Sequence, residues 1–252
     1  DSPALVPIKP MQTFLERLDK RLQQCGSSPR CVIVGGGVAG VEIALCLHAR
    51  LSASSNLRGS VALVTAGDEL ASGMSGRSQR KLSQLLAEHA IEVVKNFRVS
   101  KVSHTSVEDK QGSCQMADVI IWATGAAPPL LLDKLGLPTD ERGFLATNTL
   151  LQTTAEESIF AVGDTGTIES NPAPKAGVFA VRQAPVLWNN LRATLDSSRP
   201  MKEFIPQQDF LKILNTGQGK ALLEYHGWTF HARWCWWLKR WIDKSFVRQY
   251  QS

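Results

Sequence analysis

Three glycines at a fixed spacing are the residues of this 252-residue sequence that most clearly indicate chemistry. Gly35, Gly37 and Gly40 form a G-x-G-x-x-G pattern that follows the apolar run CVIV and opens an amphipathic stretch. In such a strand-turn-helix unit the first glycine permits a tight turn, the second lets the backbone touch a pyrophosphate, and the third lets the helix pack on the strand. Val38 and Ala39 then supply N–H groups at a helix N-terminus, which attracts anions. The pattern predicts dinucleotide binding; a purely structural glycine turn is the alternative.

The end of the second strand bears on which nucleotide binds. The dinucleotide fingerprint places an acid there, to accept a hydrogen bond from the ribose 2′-hydroxyl. This sequence has Thr65 instead, with Asp68 and Glu69 a few residues further on. No arginine stands at 65–67 to bind a 2′-phosphate, although Arg77 and Arg80 follow. We therefore favour NADH over NADPH.

Apolar periodicity predicts an α/β protein that contains β-α-β units. Such units imply right-handed crossovers, a parallel sheet and ligands at its carboxyl edge. The predicted elements up to residue 128 are a helix at 13–24 with a Thr13–Glu16 capping box, strands at 31–34, 61–65 and 91–94, helices after residue 37 and at 77–90, a small meander at 97–117, and a strand in DVIIWATG. The predicted elements beyond it are a buried strand in IFAVGD, a helix at 176–195, a β-hairpin about Thr216–Gly219 and a helix at 233–250.

Composition excludes several classes of protein. Mean hydropathy is −0.11, hydrophobic residues make up 43%, and the net charge is +5, concentrated in residues 200–252. Global disorder and a nucleic-acid-binding module are therefore not indicated. The five cysteines make no C-x-x-C and the histidines have no ligand spacing, so we expect no metal site and a reducing, cytoplasmic setting. No apolar run is long enough to span a membrane.

A set of ordered motifs carries a family resemblance. GGGVAGVEIA, VIIWATG, SIFAVGD and PKAGVFAVRQAPVLWNNL follow one another along the chain. Together they resemble the FAD-dependent pyridine nucleotide-disulfide oxidoreductase superfamily. Within it the sequence is most similar to type II NADH dehydrogenase-like flavoproteins, and in particular to the oxidoreductase module fused to selenide, water dikinase.

The resemblance implies a role for several residues. Gly163 and Asp164 match a motif whose aspartate binds the FAD ribityl chain, with a helix cap as the alternative role for Asp164. Lys175 and Ala176 match the helix start that faces the flavin, where a helix dipole stabilises negative charge; a solvated lysine is the alternative for Lys175. Glu42 matches a glutamate near the nicotinamide, or is a polar residue on an exposed helix turn. The turn of Ala123, Thr124 and Gly125 matches one that passes close to both cofactors.

The resemblance also implies a domain order. It divides the chain into a lead-in linker and helix at 1–30, a Rossmann-like NAD(P)H-binding domain at 31–128, the second segment of an FAD-binding domain at 129–199, and an interface hairpin and helix at 200–252. The first FAD segment, with its own glycine pattern, has no room before Cys31. We therefore expect a part of a longer protein that needs that N-terminal FAD segment or a second subunit; a natural short protein without FAD is the alternative.

Tryptophans are concentrated near the C-terminus. One stripe of the predicted helix contains Trp234, Trp237, Leu238, Trp241, Ile242 and Ser245, whereas Lys239, Arg240, Asp243 and Lys244 lie off it. The stripe is expected to pack on protein, such as the missing FAD segment, a second subunit or a fused domain; peripheral contact with a membrane is the alternative.

The function that the resemblance implies is hydride transfer from NAD(P)H to FAD, with an unidentified electron acceptor. A degraded nucleotide-binding scaffold or regulatory module acting beside a partner, such as a selenide, water dikinase domain, is the alternative. A membrane-docking piece built on the tryptophan helix is a third.

Overall fold

A computed structural model describes residues 2–196, 198–207 and 209–248 of the chain. The chain forms two compact units. The first, unit 1, contains residues up to Thr124 together with those from Asp209 onward, and the second, unit 2, spans Gly125–Gln208. The two ends of the sequence therefore belong to the same unit, with unit 2 inserted between them.

Unit 1 is built on a five-stranded parallel sheet. Its strands are β1 (Leu5–Pro7), β2 (Arg30–Val34), β3 (Ser60–Val64), β4 (Glu92–Val94) and β8 (Val119–Trp122), in the order β1-β8-β2-β3-β4. Helices α2 (Val38–Ala53) and α3 (Gly76–Glu88) connect β2 to β3 and β3 to β4. The predicted Rossmann-like α/β fold is confirmed.

Both faces of this sheet are buried, which explains why its strands are nearly continuous apolar runs. Ile33, Leu63 and Ile121 point to the face covered by helices α1 (Phe14–Gln24), α2 and α3. Val32 and Ile120 point to the other face, which is covered by the antiparallel meander β5 (Val99–Val102), β6 (Ser106–Asp109) and β7 (Cys114–Met116).

The N-terminal segment differs from the prediction. Residues 5–7, expected to be a linker, form edge strand β1, in which Leu5 pairs with Ile120. Helix α1 buries Leu18 and Leu22, but Leu15, which helical spacing places on the same face, is 61% exposed. The expected capping box is wrong, because the Thr13 hydroxyl lies against the Pro10 carbonyl oxygen and makes no cap hydrogen bond.

The C-terminal residues of unit 1 form a three-stranded antiparallel sheet and a helix. Strands β11 (Lys212–Asn215), β12 (Ala221–Tyr225) and β13 (Trp228–Ala232) precede α5 (Arg233–Arg248), so the predicted hairpin is extended by one strand. Leu214 and Leu222 join the same core as the helical face of the parallel sheet. The last two residues of the predicted helix, 249 and 250, lie outside the described residues.

Helix α5 packs through only a part of the predicted stripe. Cys235 is buried and Leu238 packs beside it against the three-stranded sheet. Leu238 belongs to the predicted stripe, but the tryptophans of that stripe face outward, with Trp234, Trp237 and Trp241 exposed by 51%, 61% and 67%. Packing of these tryptophans on a further protein segment stays a prediction.

A buried carboxylate joins the C-terminal sheet to α3. Glu224, on β12, accepts hydrogen bonds from the Ser75 backbone N–H (2.9 Å), the Ser75 hydroxyl (2.7 Å) and the Lys212 ammonium (3.0 Å). Ser75 is also the N-cap of α3, where its hydroxyl accepts a hydrogen bond from the Ser78 N–H. Lys212 reaches the Gly73 carbonyl oxygen, so one network fixes the start of α3 and two strands.

Unit 2 contains the parallel strand pair β9 (Leu145–Thr147) and β10 (Gly166–Ile168), a short 3-10 helix (Leu132–Leu135), and helix α4 (Gly177–Leu195). The strand predicted in IFAVGD is wrong. The segment instead makes an isolated bridge between Gln152 and Phe160, with hydrogen bonds from the Thr153 N–H to the Ile159 carbonyl and from the Ala161 N–H to the Leu151 carbonyl. Without a further neighbouring strand in the described part of the unit, the segment turns at Gly163 instead of extending.

No helix in the described ranges, 2–196, 198–207 and 209–248, has the length and apolar character that crossing a bilayer requires.

The Glu224 network makes stability depend on pH. Burial opposes ionisation of Glu224, but hydrogen bonds from Ser75, Ser78 and Lys212 outweigh it and hold its pKa at about 2, below its ordinary 4.5. Because the folded pKa is the lower one, the stabilisation is complete above pH 4.5 and disappears as the pH falls toward 2. We expect Glu224→Gln to lower the free energy of unfolding by about 2–4 kcal/mol at pH 7 and much less at pH 3, measured by urea denaturation. Glu108→Gln, in the surface ion pair with Lys101, is the control, and it should change the free energy of unfolding by no more than about 0.5 kcal/mol. If Glu224→Gln lowers the free energy of unfolding by the same amount at pH 7 and pH 3, the assignment is contradicted.

Candidate functional site

The glycine-rich turn between β2 and α2 lies at the carboxyl edge of the parallel sheet. Gly35 has φ = +125°, a conformation that side chains rarely adopt, and a Cβ there would lie 2.4 Å from the Ala123 carbonyl oxygen. A Cβ on Gly40 would lie 1.8 Å from the Gly35 carbonyl oxygen. These two glycines thus bring strand β2, strand β8 and helix α2 together at backbone contact distance.

Gly37 occupies a different kind of position. It is the N-cap of α2, its φ is an ordinary −69°, and a Cβ built on it would meet nothing within 4 Å. The backbone at this point therefore faces open space instead of packing on the protein. That is the geometry in which a phosphate can approach a helix start, and it fits the role that the spacing predicts for the second glycine.

The start of α2 has the donors that an anion needs. Gly37 has no side chain to cap the helix, and Val41 is the first residue whose N–H bonds back to the Gly37 carbonyl. The N–H groups of Val38, Ala39 and Gly40 precede it, at the end of the helix where the dipole favours negative charge. These residues are the ones that would hold the pyrophosphate of a dinucleotide.

Gly36, which the spacing argument left out, is also required by the packing. A Cβ there would lie 2.4 Å from the Thr65 hydroxyl oxygen, and the Gly36 carbonyl accepts a hydrogen bond from the Ala71 N–H at 2.7 Å. The loop after β3 is thereby held against the glycine turn, with Leu70 buried beneath it. In the sequence, the contact of Gly36 with Thr65 is indicated only by the run of three glycines at 35–37.

The predicted nucleotide residues of unit 1 lie together. Ala123 follows β8, its N–H donates to the Val34 carbonyl, and its own carbonyl and the Thr124 nitrogen lie beside Gly35. Thr65 lies at the end of β3, buried against Gly36. Gly125, the last residue of that predicted turn, is the first residue of unit 2.

Glu42 has a partner of its own in unit 1. Its carboxylate accepts a hydrogen bond from the Asn215 N–H at 2.9 Å and lies 3.9 Å from the Lys239 ammonium. Burial raises the pKa of Glu42, while the Asn215 N–H and Lys239 act in the opposite direction. Because this carboxylate joins α2 to β11 and α5, the alternative of an exposed helix turn is wrong; its proximity to a nicotinamide stays a prediction.

The residues predicted to bind FAD lie in unit 2. Gly163 has φ = +60° and its N–H donates to the Gln183 side chain at 2.7 Å, which fixes the turn before β10. Asp164 is exposed and caps no helix, because α4 begins after Ala176. Ala176 makes no side-chain cap hydrogen bond, so the first N–H groups of this 19-residue helix are available to an acceptor.

Lys175 is held by its neighbours and is not a solvated lysine. Its ammonium contacts the Gly166 carbonyl, lies 2.9 Å from the Thr167 hydroxyl and 4.3 Å from the centre of the Phe144 ring. Burial lowers the pKa of Lys175, and Asp140 and Asp164 act to raise it. The lysine joins the residues after Gly163 to the segment before α4, and so positions the start of that helix.

Cys31 lies on strand β2, which leads into the glycine turn. Cys31 is buried in the sheet, and burial raises the pKa of its thiol to about 12, which suppresses the reactive thiolate. No group of three His, Cys, Asp or Glu side chains within the part of the chain that the structure describes is arranged to hold a metal ion.

The contacts of the glycines predict a large loss of stability for one alanine substitution and little change for another. Alanine normally stabilises a helix relative to glycine by about 1 kcal/mol, but at Gly40 its Cβ collides with backbone. We expect Gly40→Ala to lower the free energy of unfolding by at least about 3 kcal/mol, and Gly37→Ala to change it by less than about 1 kcal/mol, measured by denaturant titration. Equal effects at the two positions would contradict the close contact of α2 with β2.

Curated proteins of known activity are similar to part of this chain. It is 33% identical over 150 residues to a demethylphylloquinone reductase of Synechocystis, across 58% of this chain and 36% of the relative. It is 30% identical over 184 residues to a type II NADH:quinone oxidoreductase of Haemophilus influenzae, across 68% of this chain and 41% of the relative. The chain thus spans about two fifths of the length of these curated relatives.

A solved structure matches nearly all of the fold. The sulfide:quinone oxidoreductase of Aquifex aeolicus superposes with a TM-score of 0.78 over 97% of this chain and 63% of that one, at 20% identity, which is a likeness of fold. The family described as pyridine nucleotide-disulphide oxidoreductase matches residues 11–184, a range that includes the glycine turn, the end of β8 and the start of α4. This chain belongs to the pyridine nucleotide-disulphide oxidoreductase family.

Proposed function

We propose that the chain acts in an FAD-dependent NAD(P)H oxidoreductase and supplies its nicotinamide dinucleotide site. The observation that carries this proposal is the glycine turn, in which Gly37 is open to a ligand while Gly35 and Gly40 are closed against backbone. A purely structural turn would need the close backbone contacts of Gly35 and Gly40, but it would not need open space at Gly37. The relatives named above are quinone reductases, so a quinone is the acceptor class that we favour.

The protein's part in such a reaction is to bind and to orient. When bound, a flavin accepts a hydride from the nicotinamide, and this needs stacked rings more than acid-base help from the protein. In unit 1 the N–H groups at the start of α2 would hold the pyrophosphate, and the glycines let the dinucleotide lie close to the sheet edge. In unit 2 the start of α4, positioned by Lys175, offers donors and a favourable dipole to a ligand that gains negative charge.

The flavin site calls for more than the residues of unit 2. An FAD pyrophosphate needs a glycine turn of its own, and the sequence contains one G-x-G-x-x-G pattern, at 35–40. We propose that a further segment or a second subunit supplies that turn. The closer likeness to the oxidoreductase module fused to selenide, water dikinase stays a prediction, as does the scaffold alternative, which a failure of nucleotide binding would favour.

The nucleotide site is tested by calorimetric titration of the chain with NADH and NADPH. We expect saturable binding of NADH that Gly37→Asp abolishes, because a carboxylate would stand where the pyrophosphate lies. Gly37→Ala is the matched control for folding, since its Cβ also enters open space. Folded protein that binds neither nucleotide, or binding that Gly37→Asp leaves intact, would overturn the proposal.

Peripheral contact with a membrane is the second part of the proposal. An exposed aromatic surface is formed by Trp228 and Phe230 on β13 together with the three exposed tryptophans of α5. The ring centres of Phe230 and Trp234 lie 5.7 Å apart. The guanidinium of Arg240 lies over the Trp237 ring, and α5 is basic along its length. Exposed tryptophans beside cations are typical of helices that lie in a membrane interface.

Liposome flotation tests this contact. We expect the chain to float with vesicles that contain phosphatidylglycerol, and replacement of Trp234, Trp237 and Trp241 by serine to reduce the bound fraction by about tenfold or more. Trp188→Ser is the control, since Trp188 is 64% exposed on α4 of unit 2. Equal flotation of the parent and the triple variant would exclude the aromatic surface as the contact.

A further inference from the structure

The ends of strands β3 and β4 lie side by side at the carboxyl edge of the unit 1 sheet. Val64 is paired with Val94, and the Thr65 N–H donates to the Val94 carbonyl at 2.9 Å. The two segments stay together beyond the strands, because the Phe97 N–H donates to the Thr65 carbonyl at 2.8 Å and the Asn96 N–H to the Gly67 carbonyl at 3.2 Å. Lys95 therefore emerges next to Thr65, at the place where dinucleotide folds read the adenosine ribose.

The side chain at the end of β3 is not an acceptor directed at a ligand. Thr65 is 6% exposed, and its hydroxyl oxygen lies where a Cβ of Gly36 would need space. Thr65 is packed against Gly36, so position 65 offers a ligand no carboxylate. The fingerprint acid is absent from its usual position.

An acid and a cation stand just outside that position. The carboxylate of Asp68 lies 3.4 Å from the Lys95 ammonium, and their side chains are 75% and 48% exposed. Exposed ion pairs of this kind contribute about 1 kcal/mol or less to stability, so their two members separate readily. Either partner is then free to bind a ligand that competes for it.

The two forms of the nucleotide need opposite groups at this place. A ribose 2′-hydroxyl donates a hydrogen bond and is best bound by a carboxylate, whereas a 2′-phosphate carries negative charge and is best bound by a cation. A pair that contains one of each can bind the hydroxyl through Asp68 and the phosphate through Lys95. No rearrangement of the strands is required, because both side chains project from the edge as exposed groups.

We infer that the Asp68–Lys95 pair reads the 2′-position of the adenosine ribose, in place of the acid that Thr65 displaces, and that the site accepts both NADH and NADPH. This inference rests on the proposed nucleotide site. It gives each residue a separate role, Asp68 as the acceptor for NADH and Lys95 as the cation for NADPH. The affinities of the two nucleotides are then within about tenfold of each other.

Calorimetric titration of the whole chain with NADH, NADPH, ADP and 2′,5′-ADP tests these roles without requiring turnover. We expect Lys95→Gln to raise the Kd of NADPH and of 2′,5′-ADP by about fivefold or more while changing that of NADH by less than about twofold. Asp68→Asn should weaken NADH and ADP by about threefold to tenfold and leave NADPH unchanged or tighter, because a repulsive charge is removed. Added salt should weaken the phosphorylated ligands more than the others.

Lys101→Gln and Glu108→Gln are the matched controls, because Lys101 and Glu108 form a similar surface ion pair at 3.2 Å on the meander. Neither should change any of the four affinities. Parallel changes for NADH and NADPH in each variant, or no change in either, would overturn the inference while Gly37→Asp still abolishes binding and so supports the nucleotide site. Absence of binding by the parent chain would overturn both.

Discussion

Helix α2 crosses the sheet at Gly40 with its backbone against the carbonyl of Gly35, a distance that leaves no room for a side chain. This contact fixes where the helix begins, and therefore where its unpaired N–H groups and the positive end of its dipole lie relative to the sheet edge. Gly35 is in turn held against Ala123, which places the end of β8 beside the same turn. The nucleotide site is in this sense a consequence of packing: the anion-binding end of the helix stands at the sheet edge because two glycines let three backbones meet.

The C-terminal sheet supports the same helices from the other side. Glu224 binds the N-cap of α3, Glu42 on α2 binds the N–H of Asn215, and the turn at Gly217 lies against Ala49 of α2. Both carboxylates thus accept hydrogen bonds from backbone N–H groups. Helix α2, which follows the glycine turn, therefore packs both on the parallel sheet and on the C-terminal sheet.

Features that rest on local spacing were predictable from sequence. The glycine turn was found because few other residues tolerate the φ of Gly35, and α3 was found because Leu82, Leu85 and Leu86 recur at helical spacing. Features that rest on distant partners were not. Strand β1 is three residues long and ends at Pro7, so it is defined only by pairing with β8. The strand expected in IFAVGD has the right residue types but lacks strand neighbours within the described part of unit 2, and the outward orientation of Trp237 depends on Cys235 and Leu238 facing the sheet instead.

The insertion of unit 2 into unit 1 has a consequence for synthesis of the protein. Strand β12 and its Glu224 leave the ribosome only after the whole of unit 2, although their partners on α3 were made about 149 residues earlier. Until then the helix-side core lacks Leu214 and Leu222, and the start of α3 lacks its carboxylate partner. Closing so long a loop is entropically costly and slow relative to local folding. While unit 2 is being synthesised, the nascent chain therefore lacks a part of the apolar cover of its helix-side core.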